Sequence, residues 1–241
     1  MEELWSIVSL GSAVRLSYVV TGAIGGVIAA FLLGYWRGRS SSTDDGLIEV
    51  AFEAMEHTCD PLKVKRRVRA ALASHPDNVQ LVFAYASWLD WEGDNVAAIP
   101  ILREALVRWP GNFDLTCQLA WALVEVGIDL DEAESWIDRA NGQNPNSLTV
   151  ADTRAWLCYK RGDLESALRV LLPSLPLINA HPEISYHAGA IYAGLGDLVA
   201  ARRYLEVAVR FPRRFSGRAD AVKLLGELLS EPSGGGTAAR K

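Results

Sequence analysis

Histidine and cysteine are the residues of this chain best suited to catalysis or metal binding, and they are few and scattered. They lie at His57, Cys59, His75, Cys117, Cys158, His181 and His187. The cysteine spacings match no metal or redox motif, and His181 and His187, six residues apart, do not share one helix face. No acid–histidine–nucleophile set and no phosphate-binding glycine loop stands out. The sequence therefore predicts no enzyme, no metal site and no cofactor.

Charge is unevenly distributed along the chain, whose formal net charge is -5. Residues 111–138 carry seven acids and no base, and basic clusters lie on both sides. Such runs are most often solvated helix faces, and the alternative is a footprint for lipid or a partner protein. The basic cluster that we expect to meet anionic lipid comprises Lys63, Lys65, Arg66, Arg67 and Arg69. The overall acidity argues against nucleic-acid binding.

One apolar segment, residues 18–36, has the length and character of a membrane span. It reads YVVTGAIGGVIAAFLLGYW without a charge, and as a helix it would be about 28 Å long, close to the thickness of a bilayer core. The preceding tail, residues 1–17, is apolar but interrupted by polar residues, and an interfacial position is one interpretation of it. Because the tail has little positive charge and no small-residue cleavage site follows the span, we predict an uncleaved signal anchor.

The predicted span carries a stripe of small residues. Gly22, Gly26, Ala30 and Gly34 are four apart and share one face of a helix. Small residues at this spacing let membrane helices approach closely, which predicts self-association or docking on another membrane helix. The alternative is that glycine and alanine are simply common in membrane helices. Basic residues directly after the span, in a polar linker of residues 37–45, favour a cytoplasmic location for the rest of the chain.

A regular period dominates the remainder of the sequence. Gly93, Gly127, Gly162 and Gly196 are spaced 34, 35 and 34 residues apart. A period this regular over about 120 residues is typical of a solenoid, in which each unit buries its apolar face on its neighbour. The apolar spacing and the turn signals at half-repeat intervals predict helix pairs, with the glycine as the turn inside each pair.

Small residues recur where the two helices of a pair should cross, because only a small side chain permits close packing there. These positions are Ala86, Ala98, Ala120, Ala133, Ala155, Ala167, Gly189 and Ala201. Prolines end the units, since proline cannot continue a helix. Pro173 and Pro176 instead interrupt the second helix of the third full unit.

The pattern resembles the tetratricopeptide repeat (TPR) family from Val79 to about Phe215, although smaller residues replace the large aromatic that is usual in the first helices. The resemblance implies an α-solenoid of about five helix pairs with a capping helix. Together with the N-terminal transmembrane helix predicted above, this gives an all-α fold. The predicted units are a degenerate repeat at 46–78, repeats at 79–112, 113–147, 148–181 and 182–215, a capping helix at 216–230 and a flexible tail at 231–241.

In TPR proteins the first helices line a concave groove that binds partner peptides. Chaperone-binding members hold a C-terminal carboxylate there with basic residues and asparagine, which this chain lacks at the corresponding positions. The resemblance instead implies an acidic and aromatic groove for a peptide with apolar anchors and basic residues, and packing between repeats is the alternative role for the tryptophans. The predicted groove residues are Phe83, Asp90, Asp114, Trp121, Asp152, Trp156, Tyr159 and Tyr186, with Ser87, Cys117 and Glu183 in the same frame.

The anchor, FLLGYWRGR followed by a polar linker and repeats, is similar to that of bacterial lipopolysaccharide-assembly TPR proteins, which face the cytoplasm. Those proteins also carry a cysteine-rich metal module that this sequence does not show, so their specific function is not carried over. We interpret the chain as a single-pass protein of the bacterial inner membrane with a cytoplasmic TPR domain that recruits or assembles protein partners. The alternatives are a structural subunit of a larger membrane complex, held through its transmembrane helix, and a periplasm-facing accessory of a translocon or of an envelope or cytochrome assembly machine.

Overall fold

The computed structural model describes residues 61–211 and 215–230, which are helical almost throughout. The described α-helices are α1 (Pro61–Ser74), α2 (Val79–Trp91), α3 (Asn95–Arg108), α4 (Phe113–Val126), α5 (Leu130–Gln143), α6 (Leu148–Lys160), α7 (Leu164–Leu171), α8 (Pro182–Gly194), α9 (Leu198–Arg210) and α10 (Arg218–Ser230). The predicted membrane span and the first half of the degenerate repeat lie outside the described residues. None of the described helices is long and apolar enough to cross a membrane.

Side-chain caps determine where most of these helices begin. A cap is an oxygen that accepts a hydrogen bond from a backbone N–H left free at the helix start, and each contributes about 1 kcal/mol. Asn78, Asn112 and Ser147 cap α2, α4 and α6, the first helices of three successive pairs. The second helices α3, α7 and α9 are capped by the acid that follows each turn glycine, namely Asp94, Asp163 and Asp197.

The four periodic glycines are the turns inside the pairs, as predicted. Their φ angles lie between 77° and 81°, in the left-handed region where a side chain is strained. Gly127 stands two residues before Asp129, the residue at the start of α5, whereas each of the other turn glycines directly precedes the acid that caps the next helix. Asp129, at φ 47°, is the non-glycine residue with positive φ in the described part of the chain.

Small residues lie buried at the helix crossings, which confirms the prediction made from the period. The seven alanines at these positions are all fully buried. At the eighth, Gly189 of α8, an added Cβ would lie 2.6 Å from Cγ of Leu205 in α9. Close packing of the last pair therefore depends on the absence of a side chain at Gly189.

The helix pairs stack into two layers. The first helices α2, α4, α6 and α8 contact their successors and form an inner layer, whereas α3, α5, α7 and α9 lie outside it. The outer helices are attached to the turn that ends the preceding repeat: Arg108 Nη1 donates to the carbonyl of Pro76 over 3.1 Å, and Arg139 donates to the carbonyl of Pro110. A hydrophobic core then extends from Val68 in α1 to Ala221 in α10.

The third full repeat departs from this plan. Its second helix, α7, ends at Leu171, two residues before Pro173, and a 3₁₀-helix (Leu172–Ala180) takes over. The structure therefore confirms that the two prolines interrupt this helix, because the proline ring removes a backbone donor and clashes with the preceding turn.

The acidic stretch between residues 111 and 138 lies largely on α5 and is paired with arginines of neighbouring helices. The pairs join Arg103 to Asp129 and Glu132, Arg161 to Asp131 and Glu134, and Arg154 to Asp138. Solvent-exposed pairs of this kind contribute about 0–1 kcal/mol each. The stretch is therefore a solvated helix face in this structure.

Candidate protein-interaction surface

The inner layer holds the predicted groove residues, but at different depths. Trp121, Asp152 and Trp156 are only 3%, 2% and 2% exposed, and Phe83 and Tyr186 are also buried. These five side chains are packed between helices, which is the alternative role that we gave the tryptophans. They form the closely packed interior beneath the inner surface, and a ligand has no direct access to them in this conformation.

Two indole–carboxylate hydrogen bonds recur along the inner layer. Trp121 Nε1 donates to Oδ1 of Asp90 over 2.8 Å, and Trp156 Nε1 donates to Oε2 of Glu125 over 2.8 Å. In both pairs the acid lies in the last turn of one inner helix and the tryptophan lies in the next inner helix. Asn95 Nδ2 also donates to Asp90 Oδ1, over 2.9 Å. Because a buried indole N–H needs an acceptor, these acids fix the positions of the tryptophans.

A buried acid–histidine pair joins the next two inner helices. His187 Nδ1 in α8 lies 2.9 Å from Oδ1 of Asp152 in α6, and both side chains are 2% exposed. The His187 ring stacks on Trp156 with 4.2 Å between ring centroids and lies 5.5 Å from the Trp121 ring. The imidazole thus packs against both indoles and completes the buried layer beneath the inner surface.

Burial changes the proton affinity of two acids in this interior. Desolvation raises the pKa of Asp90 to about 6, although its hydrogen bonds with Asn95 and Trp121 act in the opposite direction. Desolvation also raises the pKa of Glu183, in α8, to about 7, and the nearby charge of Asp152 raises it further. Removal from water disfavours an ionised carboxylate, which explains both shifts. Glu183 therefore titrates near neutral pH.

Three predicted groove residues, Asp90, Asp114 and Tyr159, are only partly buried. An external ligand can reach Asp114 and Tyr159, whereas the Asp90 carboxylate accepts hydrogen bonds from Trp121 and Asn95 in the interior. Asp114 lies in the first turn of α4. Burial, together with the charge of Asp114, raises the pKa of the Cys117 thiol to about 12, which keeps that thiol protonated and unreactive. Tyr159 stacks on Trp156 with 4.4 Å between ring centroids. The accessible part of the surface is therefore acidic and aromatic.

The segment between α9 and α10 reaches this surface from the far end of the solenoid. The Ser216 side chain lies close to the Asp90 carboxylate in α2 and acts to lower the pKa of that group. Phe215 is buried, with its ring centroid 6.5 Å from that of Tyr186. Gly217 lies so close to Tyr186 that an added Cβ would be 2.7 Å from the ring. This short segment therefore covers part of the predicted groove.

Comparison with known proteins identifies the fold. No protein-family model matches the chain. The TPR repeat-containing protein PA4667 of Pseudomonas aeruginosa is 24% identical over 155 residues, which are 64% of this chain and 26% of the Pseudomonas protein. The chain therefore spans about a quarter of that relative's length.

Two solved structures resemble the chain over most of its length. The crystal structure of TTC0263, a thermophilic TPR protein of Thermus thermophilus, aligns with a TM-score of 0.61 and 17% identity over 77% of this chain and 98% of that one. The described residues have the tetratricopeptide-repeat fold. The structure of the APC/C hetero-tetramer Cut9-Hcn1 aligns with a TM-score of 0.60 and 12% identity over 76% of this chain and 36% of that one.

The TPR period accounts for two contacts that were not predicted from the sequence. Glu125 precedes its partner Trp156 by 31 residues, and Asp152 precedes His187 by 35. Both separations are close to one period and place the partners on neighbouring inner helices. Glu125 and His187 could have been found by searching for polar partners one period apart. Within the described ranges, no histidine, cysteine and carboxylate side chains gather in threes to hold a metal.

The predicted lipid-contact cluster lies on α1. Its side chains at Arg66, Arg67 and Arg69 are exposed, whereas Lys65 is half-buried with its Nζ 5.0 Å from the centre of the Trp88 ring. The Lys63 side chain lies outside the described part of the chain, as does the small-residue stripe between residues 22 and 34. Lys65 is thus partly engaged within the TPR domain, whereas the side chains of Arg66 and Arg69 are exposed on α1.

Proposed function

We propose that this protein is a membrane-anchored TPR scaffold that binds a protein partner through the inner surface of its solenoid. TPR proteins generally mediate protein–protein interactions, and the fold supports a function of this class. The observation that carries the proposal is the partly exposed pair Asp114 and Tyr159 above a closely packed interior. A carboxylate and an aromatic ring on a rigid support suit a partner segment with basic residues and an apolar anchor.

The proposed location is the bacterial inner membrane, with the TPR domain in the cytoplasm. The uncharged segment at residues 18–36 supports the anchor, and the exposed arginines of α1 support contact with anionic lipid, at about 1 kcal/mol per basic residue. The small-residue stripe of Gly22, Gly26, Ala30 and Gly34 supports lateral docking of the anchor on a second membrane helix. A reporter enzyme fused after Lys241 tests the orientation. Activity of a cytoplasm-specific reporter is expected, and activity of a periplasm-specific reporter would contradict the assignment.

The binding proposal is tested by reversing one charge on the inner surface. Full-length protein with Asp114→Lys is compared with Glu165→Lys, a matched control in the first turn of the outer helix α7. Both substitutions remove an acid from a first helical turn, so they lose a similar interaction with the helix dipole. After purification in mild detergent, we expect the amount of co-purifying partner to be at least tenfold lower with Asp114→Lys than with wild type or Glu165→Lys. Equal recovery by all three proteins would contradict the proposed surface.

A further inference from the structure

The inference concerns the last described part of the chain and rests on the proposed function. We propose that residues 215–217, together with α10, are an intramolecular ligand of the inner surface. A partner protein takes their place with a segment of the same chemistry, namely an aromatic ring followed by a hydroxyl donor and a glycine. The TPR domain is thus closed in the structure described above, and partner binding opens it.

Three contacts define how the segment is bound. The Phe215 ring lies against Tyr186, and Gly217 leaves room for the Tyr186 ring where any side chain would clash. Between them, the Ser216 side chain lies close to the Asp90 carboxylate. Each contact uses a different property of the segment: an apolar ring, a polar donor and the lack of a Cβ. Aromatic contacts of this kind carry much of the energy of peptide recognition.

The contacted residues are ones that the sequence predicted to bind a peptide. Asp90 and Tyr186 lie on α2 and α8, the first and last inner helices of the full repeats, so the segment bridges the two ends of the inner layer. Asp90 also accepts the hydrogen bond from Trp121. A carboxylate in this position needs donors to offset its burial, and a partner hydroxyl can take the place of Ser216 beside it.

Helix α10, which continues the segment, is less deeply buried than the inner helices. Ala221 is its only fully buried residue, whereas α4 buries ten. Its other core contacts come from the partly buried Leu224, Leu225 and Leu228. Arg218 donates to the carbonyls of Phe211 and Val209. Val222 and Leu229 remain 48% and 52% exposed, and Gly226 lies in the helix interior with no atom within 4 Å of an added Cβ. An element with less buried apolar surface than its neighbours and an interior glycine opens locally at a lower free-energy cost than they do. Release of α10 therefore does not require unfolding of the repeats.

A peptide supplied in trans tests the proposal. The probe is a fluorescein-labelled peptide with the sequence of residues 211–221, FPRRFSGRADA, added to full-length protein in mild detergent. Gly217→Val should displace the internal segment, because valine is strained at φ 80° and its Cβ would clash with Tyr186. We expect Gly217→Val to bind the peptide at least tenfold more tightly than wild type. Gly111→Val, at a turn glycine with no atom within 4 Å of an added Cβ, is the matched control and should behave as wild type.

The peptide chemistry provides the second comparison. Peptides with alanine in place of the phenylalanine or of the serine, at the positions of Phe215 and Ser216, should bind Gly217→Val at least fivefold more weakly than the parent peptide. Three results would overturn the proposal. The parent peptide could bind Gly217→Val and wild type equally, it could bind neither protein, or all three peptides could bind Gly217→Val equally. Because this assay needs no cellular partner, a protein that binds the peptide but captures no partner contradicts the proposed function and leaves the intramolecular ligand intact.

Native-state hydrogen exchange on the wild-type protein covers the case in which Gly217→Val does not fold. We expect the amides of α10 to exchange together at least tenfold faster than those of α4 and α8, in an opening that leaves the inner layer protected. Added parent peptide should increase the population of this opened form and speed exchange in α10. Exchange of α10 only with the whole solenoid would overturn the proposal.

Discussion

Gly189 shows how much one residue of the period contributes. Its Cα faces Leu205 at a distance that leaves no room for a methyl group, since an added Cβ would lie 2.6 Å from Leu205 Cγ. The other crossing positions of the period hold alanine, so the last repeat has a closer helix approach than its predecessors.

Replacement of Gly189 by alanine should therefore destabilise the solenoid. Overpacking of a close contact costs about 1–3 kcal/mol, which outweighs the gain in helix propensity. The measurement is the midpoint of chemical unfolding followed by circular dichroism. The matched control is Gly142→Ala in α5, where an added Cβ meets nothing within 4 Å. Gly142→Ala should stabilise the protein by about 0.5–1 kcal/mol, and stabilisation by both substitutions would contradict the packing described for Gly189.

Glu183 is a second residue whose environment has a measurable consequence. Burial raises its pKa from 4.5 to about 7, so the folded state binds its proton more tightly than the unfolded chain does. Below the unfolded pKa both states are protonated and the burial of the carboxyl group is tolerated. As pH rises from about 4.5 to about 7, ionisation in the unfolded chain progressively favours unfolding.

Glu183→Gln should remove this dependence on pH. The free energy of unfolding of wild type should fall relative to that of Glu183→Gln between pH 5 and pH 8, by on the order of 2–3 kcal/mol. Urea unfolding at a series of pH values measures the difference. The exposed Glu165→Gln serves as the control and should run parallel to wild type. A constant difference between wild type and Glu183→Gln across this range would show that the carboxyl group is not buried as described.

At the scale of elements, most of the helix boundaries follow from local chemistry that the sequence displays. The turn glycines, the acids after them and the prolines lie at fixed offsets, so the helix pairs and the interruption at Pro173 could be predicted. The depth of Trp121 and Trp156 could not be predicted, because it depends on how tightly successive inner helices pack. That packing is set by contacts one period apart, such as that of His187 with Asp152, which no local pattern displays.

The stability of helix α10 should affect partner binding, because the proposed partner takes the place of this helix and of residues 215–217. Gly226→Ala should strengthen it by about 0.5–1 kcal/mol, because glycine in a helix interior loses more backbone entropy than alanine does. Exchange of the α10 amides should then slow by roughly two- to fivefold. Gly142→Ala, which stabilises α5, should leave exchange in α10 unchanged. If the two substitutions slow α10 equally, the helix does not open independently of the repeats.

At the scale of the whole molecule, the described residues form a two-layered solenoid whose inner helices are joined by indole–carboxylate and imidazole–carboxylate contacts. The chain's own C-terminal segment spans this layer from Asp90 to Tyr186. The outer helices pack on this layer through buried side chains such as Leu102, Ile137 and Leu205. Their exposed large apolar side chains, Val96 and Val107 in α3 and Leu198 and Val199 in α9, do not continue from repeat to repeat. These features make the inner surface, and not the outer one, the expected site of partner contact.

Site-specific photocrosslinking in cells tests whether the partner contacts the inner surface of the solenoid. A benzophenone amino acid is placed in full-length protein at Asp114 or Tyr159 on the inner surface, or at Val107, which is 82% exposed on the outer helix α3. We expect the two inner positions to crosslink to a common protein partner and Val107 not to crosslink to it. Crosslinks to the same partner from Val107 but from neither inner position would contradict the proposed inner surface.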